Sequence, residues 1–259
     1  MDMVLALWFT LLFSIYLFSS LRPGRAFLKN YPTVLVLAAV VLACVVFLLV
    51  VLTKWSSRDV RSDPTIVAWY EFACFLWLGM AQRVFGFFGV GARDDVFERG
   101  NAAAAWVVAG QFLAATCCFA GANVGNGPGP EVVIFCAVLS TGTLLVLWIL
   151  LSGLTSVLDT ITIERDVPAG IRMAGWFTAS GIICGAAVTG DWHSATLTLR
   201  DFAVYGWPAL LFTLAMACFE RVLQKRRAES GWNGAPRSAG LAAACVALAS
   251  VYVWKRGFH

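Results

Sequence analysis

Long apolar runs separated by short polar stretches account for most of the chain. A helix needs about 20 apolar residues to cross the hydrocarbon core. Runs at 3–21, 33–53, 65–91, 102–121, 132–158, 169–190, 202–219 and 239–254 therefore predict about eight membrane-spanning helices, with 239–254 the shortest. The first run is followed, not preceded, by basic residues (Arg22, Arg25, Lys29). That is the reverse of a secretory signal peptide, so a retained anchor is expected. The run at 33–53 is Val- and Leu-rich on every side, as a lipid-facing helix is. Between runs, 54–64 is polar, and Asn-Gly-Pro-Gly-Pro at 126–130 reads as a turn.

Two of the runs share a pattern. A charged loop ends at Asn101 and small residues begin at once; asparagine there is a good N-cap, accepting from an unpaired N–H of the first turn. About 65 residues later Asp166 holds the matching position. Ala104, Ala109, Gly110, Phe112 and Ala114 recur as Ala169, Ala174, Gly175, Phe177 and Ala179. Small residues also stand four apart in both runs: Ala105 and Ala109, Gly110 and Ala114, Gly170 and Ala174, Gly175 and Ala179, Gly181 and Gly185. That spacing puts them on one helix face and permits close backbone approach. The fourth and sixth spans are therefore expected to pack together, flanked by the third and fifth. The predicted fold is an all-α, polytopic helical membrane protein with a duplicated two-helix hairpin at its centre. Its parts are an N-terminal helix pair over 1–64, a core over 65–190 (repeats 65–125 and 131–190) and a C-terminal pair over 191–259. These repeats would be parallel, related by an axis along the membrane normal; inverted repeats would speak more for alternating-access transport.

Composition supports the membrane reading. The chain is 60% hydrophobic and 13% charged, with mean hydropathy +0.78, where a soluble domain carries about 25% charged residues. No Lys/Arg stripe is interleaved with aromatics, so the net charge of +4 speaks of topology and not of nucleic acid. Most basic residues fall in the loops between spans one and two, three and four, five and six, and seven and eight, above all in 221–237. The positive-inside rule places those loops in the cytoplasm and both termini outside. Lys54, Arg58 and Arg61 dissent. Trp8, Trp55, Trp69, Trp192 and Trp254 lie near span ends, where indoles favour the interface.

The sequence ERGNAAAA around Asn101 and its counterpart ERDVPAG around Asp166 resemble the bacterial domain of unknown function 350 family, the YjfL-type inner-membrane proteins. That family opens one helix with GN-x-AAA and its repeat with GD-x-AAG. Gly100, Asn101, Ala103 and Ala104 match the first motif, and Asp166, Ala169 and Gly170 match the second. Arg165 stands where the family has Gly, and Pro168 where it has Ala; proline is tolerated in a first helical turn. The resemblance covers about 65–190. It implies the fold and a bacterial-type inner membrane, and it assigns no activity; a role as an envelope-stress-associated scaffold is one expectation that comes with it.

Candidate chemistry is sparse. The eight cysteines all fall in apolar runs, without a CxxC, and are expected to act as small hydrophobes. His193 and His259 are the only histidines, too few for an intramembrane bis-histidine haem. No cofactor or metal is expected. Ionisable groups within a membrane are costly and therefore functional candidates. Arg172 and Arg83 lie near span ends, and snorkelling to the interface is the expectation for both. Glu71 lies deeper, and it is about 18 Å of helical rise from Arg83, too far to pair in a straight helix. Gln111 sits mid-membrane and is expected to make an interhelical hydrogen bond. Asn101 and Asp166 are expected as caps, with an anion or lipid phosphate at their helix N-termini as the alternative. There is no Ser/His/Asp set, no HExxH and no P-loop, so no enzyme is expected. The leading expectation is a structural or accessory subunit of a membrane assembly, with lipids and protein partners or further copies around it. The alternative is a small transporter or channel whose pathway, lined by Glu71 and Gln111, follows the repeat interface. The basic 221–237 segment would serve a scaffold that holds a partner or anionic lipid.

Overall fold

The computed structural model describes residues 31–230 and 235–257. The expected span at 3–21 lies outside the described residues. The first helix, α1 (Tyr31–Lys54), leads through a short α2 (Arg58–Ser62) to α3 (Pro64–Phe87). A π-helical turn, Ala92–Glu98, precedes α4 (Ala102–Ala122). Then come α5 (Pro130–Leu154), the short α6 (Val157–Thr162), α7 (Val167–Ala187), α8 (Ala195–Ser230) and α9 (Ala235–Arg256). Helix starts follow local chemistry. Asp63 accepts from Thr65 N at 2.8 Å, and Pro64 and Pro130 occupy first-turn positions, where a missing N–H costs nothing.

Among the described residues six helices are long and apolar enough to cross a membrane: α1, α3, α4, α5, α8 and α9. The protein is all-helical and fits a multi-pass membrane chain. The sixth predicted span is real as a helix, α7, but it is not among those six. Arg172, Thr178, Ser180 and several glycines lower its apolarity, and nearly its whole circumference is enclosed by protein. A helix that never meets lipid has no need of an apolar outer surface. Two boundaries also move. The fifth run breaks at Thr155 into α5 and α6. The seventh extends to Ser230, so part of the basic segment read as loop is helix.

Among the described residues the pair α4–α7 has the most extensive interface, and α9 and α8 make the next largest, both on α7. The small residues explain the closeness. A Cβ on Gly110 would strike the backbone of Ala174, and one on Gly121 the backbone of Gly185. Gly175 departs from the expected seam: a Cβ there would meet Ala242 of α9. Helix α7 thus has one small face for α4 and a second for α9, which makes the C-terminal pair part of the core.

The backbone leading into α4 recurs before α7. Asn101 N donates to Asp95 O and Asp166 N to Thr160 O, both at 3.0 Å. Arg99 N donates to Asp94 O and Glu164 N to Asp159 O, both at 3.1 Å. Gly100 and Arg165, between those bonds, have φ of 63° and 55°. An L-residue pays for that left-handed conformation, and Arg165 is the one non-glycine among the described residues that adopts it.

Candidate functional site

The polar residues buried at the helix contacts are largely satisfied. Gln111, fully buried, accepts from Gln82 Nε2 at 3.1 Å and donates to Val90 O at 3.4 Å. The expected interhelical bond is therefore present, from α3 to α4. Its partner Gln82 had no signal in the sequence beyond lying beside Arg83. Asn101 caps α4, its Oδ1 accepting from Ala103 N at 2.9 Å and Ala104 N at 3.2 Å. Its Nδ2 donates to Ile161 O at 2.7 Å, tying the turn before α7 to the start of α4. With both polar atoms committed and the residue 1% exposed, Asn101 has nothing to offer an anion. Asp166 caps α7 by accepting from Ala169 N at 2.7 Å.

Arg172 departs from expectation. It does not snorkel: it is 2% exposed and faces inward. Its Nε and Nη2 both donate to the Glu220 carboxylate, the latter at 2.9 Å, and its Nη1 donates to Ser238 Oγ at 2.9 Å. Glu220 is equally buried, so this fork joins α7, α8 and α9. Snorkelling fails because α8 and α9 cover that face of α7, and a guanidinium enclosed by protein needs a carboxylate more than it needs water. Glu220 was hidden in the sequence by the basic run that follows it. Arg83 is exposed. Glu71 is half-buried, and both its carboxylate oxygens are sheltered without a hydrogen-bond partner among the described residues. The structure therefore does not bring the candidates together. It disperses them into two helix caps, a glutamine bridge, an ion pair, an exposed arginine and a carboxylate without a partner among the described residues.

A cavity of about 650 Å³ lies at the opposite end of the core from Arg172. Ala122 and Ala187, the last residues of α4 and α7, reach its inner wall. Three loops form the rim, and they are pinned to each other. Gly190 N donates to Val124 O at 3.0 Å and Trp192 N to Asn126 O at 2.8 Å. Asn126 donates from N and Nδ2 to Asp191 Oδ1 at 2.8 and 2.9 Å, across 65 residues of sequence. An isolated bridge pairs Ser56 with Gly125. The walls are aromatic and acidic: Trp69, Tyr70, Trp192 and Tyr205 stand with Asp59, Asp191 and Asp201. Arg256 reaches in from the end of α9, its guanidinium 3.7 Å from the Tyr205 ring centroid and its Nη1 donating to Ala186 O at 3.1 Å.

Sequence reasoning missed this cavity because its lining comes from loops and helix ends far apart in the chain. A signal was present. Continuing the internal match past Ala114 and Ala179 pairs Val124-Gly125-Asn126 with Thr189-Gly190-Asp191, the two strips that meet at the rim. Gly125 and Gly190 have φ of 115° and 126°, which only glycine adopts readily. No family model, no curated protein and no solved structure matches this chain.

Proposed function

We propose that this protein is a structural or accessory subunit of a membrane assembly, built on a duplicated two-helix hairpin. The observation that carries this reading is the α4–α7 seam, where glycines rest on backbone and Gln111 is satisfied by its neighbours. Backbone in contact with backbone leaves no lumen along the seam, which favours a rigid core over a pathway there. The duplication is supported by the matched turns before α4 and α7, with Gly100 and Arg165 in the same left-handed conformation. That match also supports the resemblance to the domain of unknown function 350 family, since Arg165 occupies the position of that family's glycine. With the resemblance go a bacterial-type inner membrane and, from the basic loops, termini on the non-cytoplasmic side. The cavity then opens on that same side.

Native mass spectrometry of protein extracted in membrane-derived nanodiscs tests the reading. A defined stoichiometry with itself or a second membrane protein is the expected result. Saturable solute flux by the purified protein alone in liposomes overturns it in favour of a transporter. One observation favours that second reading: the Glu71 carboxylate, without a hydrogen-bond partner among the described residues, follows directly on Tyr70, which lines the cavity. Flux abolished by Glu71→Gln would establish it.

A further inference from the structure

We propose that the cavity at the rim of the three loops binds a small organic cation, an amine or quaternary ammonium group carried on an apolar body. Its volume of about 650 Å³ falls within the range of drug-sized ligand pockets. The first argument is the walls. Trp69 and Trp192 are half-buried, so part of each indole remains open, and aromatic faces attract cations through the ring quadrupole. Trp69 packs edge-on against Tyr70, with centroids 5.5 Å apart, and Trp192 against Phe135 at 5.4 Å.

The second argument is that the cavity already holds one organic cation, the protein's own. The Arg256 guanidinium lies over Tyr205 and within electrostatic reach of Asp201. Its Nη1 donates to Ala186 O, while its buried Nε has no hydrogen-bond partner among the described residues; against this one guanidinium the lining sets the carboxylates of Asp59, Asp191 and Asp201. Among the described residues, Asp59 and Asp191 have no salt-bridge partner within 4 Å. Asp59 is exposed, and Asp191 is occupied only by the Asn126 amide groups. Glu131, within electrostatic reach of Tyr70, adds a further negative charge beside the wall. Besides the Arg256–Tyr205 pair, the cavity thus offers indole faces and carboxylates, with His193 the one other basic side chain among the described lining residues. An anion would meet this rim at a disadvantage.

The proposal is independent of whether the protein is a subunit or a transporter, since either can carry a ligand site. Its test uses the full chain in nanodiscs, with benzyltrimethylammonium as probe and toluenesulfonate as a probe of similar size and opposite charge. Calorimetry and quenching of tryptophan emission read binding. Saturable binding of the cation, with the sulfonate at least tenfold weaker, is expected. Asp59→Asn, on an exposed side chain with no hydrogen bond or ion pair among the described residues, should weaken the cation severalfold and leave the melting temperature unchanged. Trp69→Leu should weaken it about tenfold. Equal binding of both probes, no saturable binding of the cation, or cation binding indifferent to both substitutions each overturns the proposal.

Discussion

At the N-terminal ends of α4 and α7, Asn101 and Asp166 cap the helices, Asn101 reaches across to Ile161, and Arg172 is buried against Glu220. At the C-terminal ends the same two helices separate into loops around a cavity that is open and acidic. Between the two ends the helices touch backbone to backbone. The closed end fastens α8 and α9 to the core through charge, while the open end is held by loop hydrogen bonds that leave side chains free at its rim. The contrast separates a part whose polar groups serve packing from a part whose polar groups remain available.

The largest break in this contrast should come in the middle. Gly121→Val puts side-chain atoms into the Gly185 backbone, and neither main chain can yield. Loss of monodisperse protein on size exclusion is the expected outcome. Gly142→Ala, with nothing within 4 Å of its Cβ position, is the matched control and should elute as wild type.

The closed end comes next. Glu220→Ala leaves the buried Arg172 charge unpaired, a loss of about 3–5 kcal/mol. The paired replacement Arg172→Met with Glu220→Leu removes both charges and should cost less than either single truncation. Unfolding in a denaturing detergent series would rank the three; a double variant worse than both singles contradicts the buried-pair account.

Smaller still is the Gln82–Gln111 bridge. Gln111→Leu should cost about 0.6–2 kcal/mol. The cost should fall when Gln82 is already leucine, leaving the part owed to the bond with Val90 O, a coupling that a double-mutant cycle reads directly.

The smallest effect tests the recurrence of the two helix-entry turns. Arg165→Gly relieves a left-handed conformation and should raise stability by about 0.5–1 kcal/mol after the added freedom of the unfolded chain is deducted. Gly100→Ala should have the opposite sign. A thermal shift of the same sign for both would mean that the turns are not equivalent.

Much of this architecture was legible residue by residue. Uninterrupted apolar length marks the spanning helices because lipid offers the backbone no hydrogen-bond partner, so a helix is the solution for each run. Small residues spaced by four marked α4 and α7 as helices that approach closely, and Asn101 and Asp166 were readable as caps because capping is local chemistry. The direction taken by each intramembrane polar group was not legible. Arg172 read as an interfacial side chain, since nothing near it in sequence announces Glu220 or Ser238; the fork forms only when α8 and α9 close over α7. The second small face of α7, at Gly175, depended on the same docking. The cavity is the clearest case, because Trp69, Asp59, Asp191 and Arg256 meet only after the ends of several helices and three loops have assembled. Local pattern and hydropathy determine which segments become helices and where they start. Which faces are buried, which charges find partners and where a hollow remains are decided by contacts between residues distant in the chain, and those only the tertiary structure supplies.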